Sequence, residues 1–307
     1  MALADAPRSF SRPYGLGRVV RGFSLGAVPP PALILLGIVS VQVGAGVAKH
    51  LFDQMAPAGV VLLRLATSAV VLGVAGRTAL KLALRTRSRR DLAVAVVFGL
   101  TLAFMNLSFY QALTRIPLGL AVAVEFLGPL SVAILSSRRR LDVIWALLAM
   151  TGVALLAGGG SVDMLGIGFA ALAGVGWAAY ILLSAATGRR FEGSTGLAIA
   201  SAVGTVALLP VGVATAGSAL LRPELLAAGL AVGLLSSLIP YTLELEALRR
   251  VPPRVFGILM SLEPAVGALV GLVVLGELLT VWEWTAIGCV IVACLGSTRS
   301  MRQQPEA

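Results

Sequence analysis

Residues 32–51 read Ala32-Leu33-Ile34-Leu35-Leu36-Gly37-Ile38-Val39-Ser40-Val41-Gln42-Val43-Gly44-Ala45-Gly46-Val47-Ala48-Lys49-His50-Leu51, without a charge until Lys49. About 20 mostly apolar residues in a helix cross the hydrocarbon of a bilayer, and this run is of that length. Nine further runs follow, at roughly 57–76, 92–113, 118–136, 141–158, 164–186, 195–216, 225–247, 255–275 and 281–298. The linkers are short, built on Pro, Gly or charge, and leave no room for a soluble domain. Apolar residues make up 58% of the chain and charged ones 12%, against about 25% charged in a soluble domain. The 35 glycines favour close helix contacts in lipid. The fold expected is an all-α membrane protein of ten transmembrane helices.

The net charge of +10 is distributed as a topology signal, between the apolar runs rather than along one face, so nucleic acid is excluded as a partner. With the N-terminus in the cytoplasm, 20 of the 24 basic residues fall in cytoplasmic segments. These are Arg8, Arg12, Arg18 and Arg21; Arg77, Lys81, Arg85, Arg87, Arg89 and Arg90; Arg138–Arg140; Arg189 and Arg190; Arg249, Arg250 and Arg254; and Arg299 and Arg302. Arg115 and Arg222 lie in outer loops, and Lys49 and Arg64 within spans. Positive-inside bias then puts both termini in the cytoplasm. Residues 1–31 read as a flexible cytoplasmic tail rather than a cleaved leader, and 299–307 as a short C-terminal one. Two cysteines, Cys289 and Cys294, and a single His50 support no disulfide framework, metal site or Ser/His/Asp arrangement. No cofactor is implied, and no Gly-x-x-x-x-Gly-Lys-Ser/Thr segment couples the chain to ATP.

Internal similarity divides the chain. Ala112-Leu113-Thr114-Arg115-Ile116-Pro117 matches Ala247-Leu248-Arg249-Arg250-Val251-Pro252 at an offset of 135, which also sets Gly128-Pro129 on Glu263-Pro264 and Asp142 on Glu277. Gly44-Ala45-Gly46-Val47-Ala48 resembles Gly174-Val175-Gly176-Trp177-Ala178 at an offset of 130. Each copy therefore holds five spans, 32–158 and 164–298, and an odd number inverts the second copy, the plan of many secondary transporters. A channel or an intramembrane enzyme fits this plan less well.

These features resemble the drug/metabolite transporter superfamily and its EamA-type carriers, and within it the bacterial inner-membrane threonine/homoserine exporters. The resemblance covers roughly residues 33–298. It is carried by Gly44–Lys49, Leu63-Arg64-Leu65-Ala66, Ile116–Leu130 with its Glu125-Phe126-Leu127-Gly128-Pro129, Ser136-Ser137-Arg138-Arg139, Ser236–Glu244, and Phe256–Ala265 with its Met260-Ser261-Leu262-Glu263-Pro264. It implies proton-antiport efflux of small amino acids such as threonine or homoserine across the inner membrane, and leaves a homodimer open. Two departures stand out: a longer tail, and His50 where a small polar residue is usual.

Ionisable groups within spans are costly and normally face a partner or a watery cavity. Glu125 lies four residues before Pro129, and Glu263 directly before Pro264. The repeats set the two acids three positions apart, near one helical turn, so both are expected at similar depth in a central cavity. A low-dielectric site favours a neutral carboxyl and a nearby cation favours a carboxylate, so proton and substrate ammonium compete. The bland alternative is a protonated acid satisfying kink carbonyls. Arg64 could clamp a carboxylate or lock its helix to a glutamate. Lys49 reads as an outer-gate group or, like Arg64, a partner for a substrate carboxylate, or else as a snorkelling side chain paired locally with Asp53. Glu244, after Pro240-Tyr241, is expected in the cavity; Glu246 pairs with Arg250 on a helix surface, and Asp142 and Glu277 serve as caps or hinges. Trp177, Tyr180 and Tyr241 are the aromatic candidates, with Gln42, Asn106 and Tyr110 at cavity-like positions, and Pro129, Pro240 and Pro264 as helix breaks. The leading expectation is an exporter of small zwitterions. The alternative is a proton-coupled exporter of cationic drugs or other metabolites, in which Arg64 is structural.

Overall fold

The computed structural model describes residues 28–135, 140–158, 163–248, 250–251, 256 and 259–300. The expectations for most of the N-terminal tail, the end of the C-terminal tail, Arg138, Arg139, Arg249, Arg254 and the side chain of Asp142 fall outside them. Among the described residues every regular element is helical. In chain order these are α1 (Pro30–Leu51), α2 (Pro57–Ala75), α3 (Arg77–Thr86), α4 (Arg89–Leu113), α5 (Leu118–Glu125), α6 (Leu127–Leu135), α7 (Arg140–Gly158), α8 (Met164–Gly188) and α9 (Thr195–Ala216). They continue with α10 (Pro223–Gly233), α11 (Ile239–Leu248), α12 (Glu263–Leu275) and α13 (Val281–Ser300). Among the described residues six helices are long and apolar enough to cross a membrane: α1, α2, α4, α8, α9 with its 3₁₀ extension, and the α10–α11 stretch. Four shorter apolar helices accompany them, at Leu118–Val132, Val143–Gly152, Glu263–Leu275 and Val281–Gly296.

The helix starts follow from local chemistry. Proline occupies the first turn of α1, α2, α10 and α12, where its missing N–H has no partner to lose. Asp163 accepts from the backbone N–H of Leu165 and Gly166 to cap α8, and Glu283 accepts from Thr280 N–H and Oγ1 at 2.6 and 2.8 Å at the head of α13.

Three expected spans are interrupted. Span 4 breaks between α5 and α6 because Pro129 offers no N–H to the carbonyl of Glu125, four residues back. Span 8 passes through a π-helical turn at Leu234–Leu238, where Pro240 likewise leaves the Ser236 carbonyl free. Span 9 is interrupted as well: helical residues up to Met260 give way to a turn at Ser261–Leu262, and Pro264 stands in the first turn of α12, which resumes at Glu263. The segment expected to be a basic linker, 77–90, contains helix α3; its Ala, Leu, Lys and Arg are strong helix formers with no Gly or Pro among them.

Packing brings α1 against α10–α11 and α12, α4 against α8 and α9, α2 against α9 and α10, α5 against α12 and α8, and α7 against α13. The largest core runs through Leu113, Ile116, Leu118, Leu120 and Val122, at most 2% exposed, near the ends of α1 and α4 and the start of α5. Contact there is close enough to require glycine. A Cβ on Gly119 would lie 2.5 Å from Ala268 Cα of α12.

Candidate functional site

Between the helices lies a cavity of about 670 Å³. Its wall is drawn from α1 (Gln42, Ala45), α2 (Arg64), α4 (Asn106), the α5–α6 break (Glu125, Phe126, Pro129), α8 (Trp177, Tyr180), the π turn and α11 (Ser236, Pro240, Tyr241, Glu244) and the approach to α12 (Met260, Glu263). Of the residues expected at the site, Glu125, Glu263, Glu244, Arg64, Trp177, Tyr180, Tyr241, Pro129 and Pro240 all line this one space. Lys49 and Pro264 do not.

The helix breaks shape the wall. The carbonyl of Ser236, freed by Pro240, accepts from Arg64 Nη2 at 3.2 Å. Next to it, Leu235 O accepts from Ser40 Oγ at 2.7 Å, tying α1 and α2 to the π turn. Arg64 also donates from Nη1 to the Tyr110 hydroxyl at 3.4 Å and lies 5.8 Å from that ring's centre. Among the described residues it forms no ion pair, so the expected lock to a glutamate is replaced by a carbonyl and a phenol. The other break depends on glycine: a Cβ on Gly128 of α6 would collide with the Gly174 carbonyl of α8, and one on Gly174 would lie 2.8 Å from the Glu125 carbonyl. These glycines let α8 approach the broken helix and hold Glu125 inward, 8% exposed.

Glu263, 6% exposed, accepts from Gln42 Nε2 at 3.2 Å. It is within electrostatic reach of Glu125 and Glu244, and Glu125 within reach of Arg64. Glu244 lies against Gly37 of α1. Trp177 meets Phe126 edge-on with ring centres 5.2 Å apart, and the hydroxyls of Tyr180 and Tyr241 are 3.0 Å apart. Among the described residues, Gln42 Oε1, Arg64 Nε, Ser236 Oγ and Glu263 Oε2 are buried without a protein partner, and all four belong to residues of the cavity wall. Buried polar atoms normally have partners, so their gathering here marks a place built for polar chemistry.

Lys49 belongs elsewhere. Its Nζ donates to Glu277 Oε1 at 2.6 Å and to the Ile116 carbonyl at 3.0 Å, while Glu277 Oε2 accepts from Leu118 N–H at 2.8 Å. Lys49 thus pairs across the fold and not with Asp53. Glu277, expected as a cap or hinge, caps the first turn of α5 from the far end of α12. It is turned there by Gly276 in a left-handed conformation, φ 68°. No sequence signal announced this pairing, which spans 228 positions. His50 is exposed and takes no part.

The EamA-like transporter family matches residues 164–299. The threonine/homoserine exporter RhtA of Salmonella typhimurium is 40% identical over 282 residues, covering 90% of this chain and 94% of that protein. This chain belongs to the EamA-like transporter family. The Escherichia coli K12 exporter of the same name is also 40% identical, over 280 residues, with 90% and 93% of the two chains covered. A crystal structure of a protein with 17% identity superposes with a TM-score of 0.60 over 89% of this chain and 98% of the other, which shows a shared fold. As an EamA-like protein the chain is a multi-pass membrane transporter, not an enzyme.

Proposed function

We propose that this EamA-like carrier exports small zwitterionic amino acids, threonine and homoserine among them, from the bacterial cytoplasm in exchange for protons. The observation that carries the reading is the cavity itself. One guanidinium, Arg64, and three carboxyl groups, Glu125, Glu244 and Glu263, share a space whose remaining wall is largely apolar and aromatic. A substrate with a carboxylate and an ammonium matches both signs, with Arg64 taking the carboxylate and the acids exchanging ammonium for protons. The names of the relatives support the substrate class.

In this reading the chain carries ten spans in two inverted five-helix repeats, with both termini in the cytoplasm. The packing supports the symmetry. If each span of the first repeat is exchanged with its counterpart in the second, α1 against α11 becomes α8 against α4, and α2 against α10 becomes α9 against α4; each is a contact the fold contains. The basic residues of α3 and of Arg189–Arg190 then mark the cytoplasmic face. The Lys49–Glu277 pair closes the outer end, and rocking of one repeat against the other opens it.

The test is counterflow in proteoliposomes loaded with unlabelled threonine. Uptake of labelled threonine, competed by homoserine and not by lipophilic cations, is expected. Competition by lipophilic cations with no threonine exchange would overturn the reading in favour of cation export.

A further inference from the structure

We infer that α3 is an interfacial helix that binds the headgroups of anionic phospholipids. The inference rests on α2 and α4 crossing the membrane and not on what the carrier transports. Only Gly76 separates α3 from α2, and only Arg87 and Ser88 separate it from α4. A ten-residue helix is about 15 Å long and about 10 Å across, and the headgroup layer on each side of the hydrocarbon is about 5–8 Å deep. Held at both ends by spans, α3 has to lie in or against that layer.

Its faces suit the position. Ala83 is buried against Ala95, Phe191 and Ile199, with Leu80 packed beside it, so one face is fixed to the ends of α4 and α9. On the side away from that contact Arg77, Lys81 and Arg85 recur every four residues and form one stripe. Leu82 and Leu84, 62% and 54% exposed, flank the stripe on either side. Arg87, Arg89 and Arg90 extend the charge, and no acid occurs between residues 77 and 90. Asp91, the next residue, is engaged by Arg190 at 3.3 Å and by Ser88 at 2.7 Å. Among the described residues none of these six cations forms a salt bridge; Arg87 alone acts on an acid, Asp91, at longer range, and it lies over the Phe191 ring. Cations without a salt bridge, flanked by exposed leucines at the level of the headgroups, are complementary to an anionic lipid surface: the leucine on the bilayer side of the stripe enters the acyl boundary and the cations meet phosphate.

The full-length protein tests this in nanodiscs of phosphatidylcholine with a minor fraction of phosphatidylglycerol, by measuring the lipid that stays bound after extraction. The wild type is expected to retain phosphatidylglycerol in preference. The combined Arg77→Gln, Lys81→Gln and Arg85→Gln variant is expected to lose that preference by on the order of ten-fold, as is the wild type in high salt. Equal enrichment in wild type and variant would overturn the proposal. A second measurement leaves the charges in place: a fluorophore on Leu82→Cys and, in a separate variant, on Leu84→Cys, each in a background with Cys289 and Cys294 replaced by Ser, so that one of the two sites reports the bilayer side. Quenching by brominated lipid is expected at one of the two sites, whereas quenching by aqueous iodide alone at both would contradict the inference. Neither readout involves transport, so a negative result here leaves the proposed export untouched.

Discussion

At the end where α1 finishes and α5 begins, helices meet through Leu113, Ile116, Leu118 and Leu120, essentially unexposed, and one three-way polar contact among Lys49, Glu277 and the Leu118 N–H. In the middle of the bundle α1, α2, α5, α8, α11 and α12 part around Gln42, Arg64, Glu125, Tyr180, Tyr241 and Glu263, several with polar atoms that no group among the described residues satisfies. The closed end satisfies its half-buried polar groups with each other, and the cavity leaves its own available. A carrier needs this division: one region that a few bonds hold shut, another where the protein underserves its own polar atoms so that a substrate can serve them.

The difference can be broken most severely from the cavity side. Glu125→Gln and Glu263→Gln should each lower pH-gradient-driven export by about 100-fold or more, the scale of removing a group that moves a proton in the reaction path, while membrane insertion stays normal. Efflux assays with matched protein levels check this. At the closed end, Lys49→Met leaves the Glu277 carboxylate without its cation. Side-chain exposures of 24% and 14% reduce the cost of a broken buried pair to about 2 kcal/mol, or roughly thirty-fold in the closed-to-open balance. Labelling of Ile116→Cys by an impermeant thiol reagent, with Cys289 and Cys294 replaced by Ser, should accelerate accordingly. Arg64→Lys keeps the charge but cannot span the Ser236 carbonyl and the Tyr110 hydroxyl together, and should weaken substrate affinity by about ten-fold, read as KM. The smallest effect expected is that of Tyr241→Phe, which removes one neutral hydrogen bond worth about 1 kcal/mol and should change transport by no more than about five-fold.

Sequence patterning located this division unevenly. Apolar runs announced the membrane helices, because lipid imposes length and composition on every span, and the intramembrane acids announced the cavity, because an unpartnered charge in lipid is too costly to be incidental. Pro129 and Pro240 marked where helices open, since a missing N–H acts on its own chain four residues away. What patterning did not reveal depends on tertiary approach. The Lys49–Glu277 pairing joins residues far apart in the chain, and local spacing pointed instead to Asp53. The free Ser236 carbonyl was foreseeable from Pro240, but not that Arg64 would fill it. Helix α3 was hidden by its charge density, which read as a linker although its residues are good helix formers.

The most direct test of the central claim is to record internal pH in proteoliposomes while a threonine gradient runs down through the wild-type protein. The account predicts that outward threonine flux drives protons inward, and that Glu125→Gln and Glu263→Gln abolish the proton movement. Threonine flux at full rate with no proton movement would contradict it.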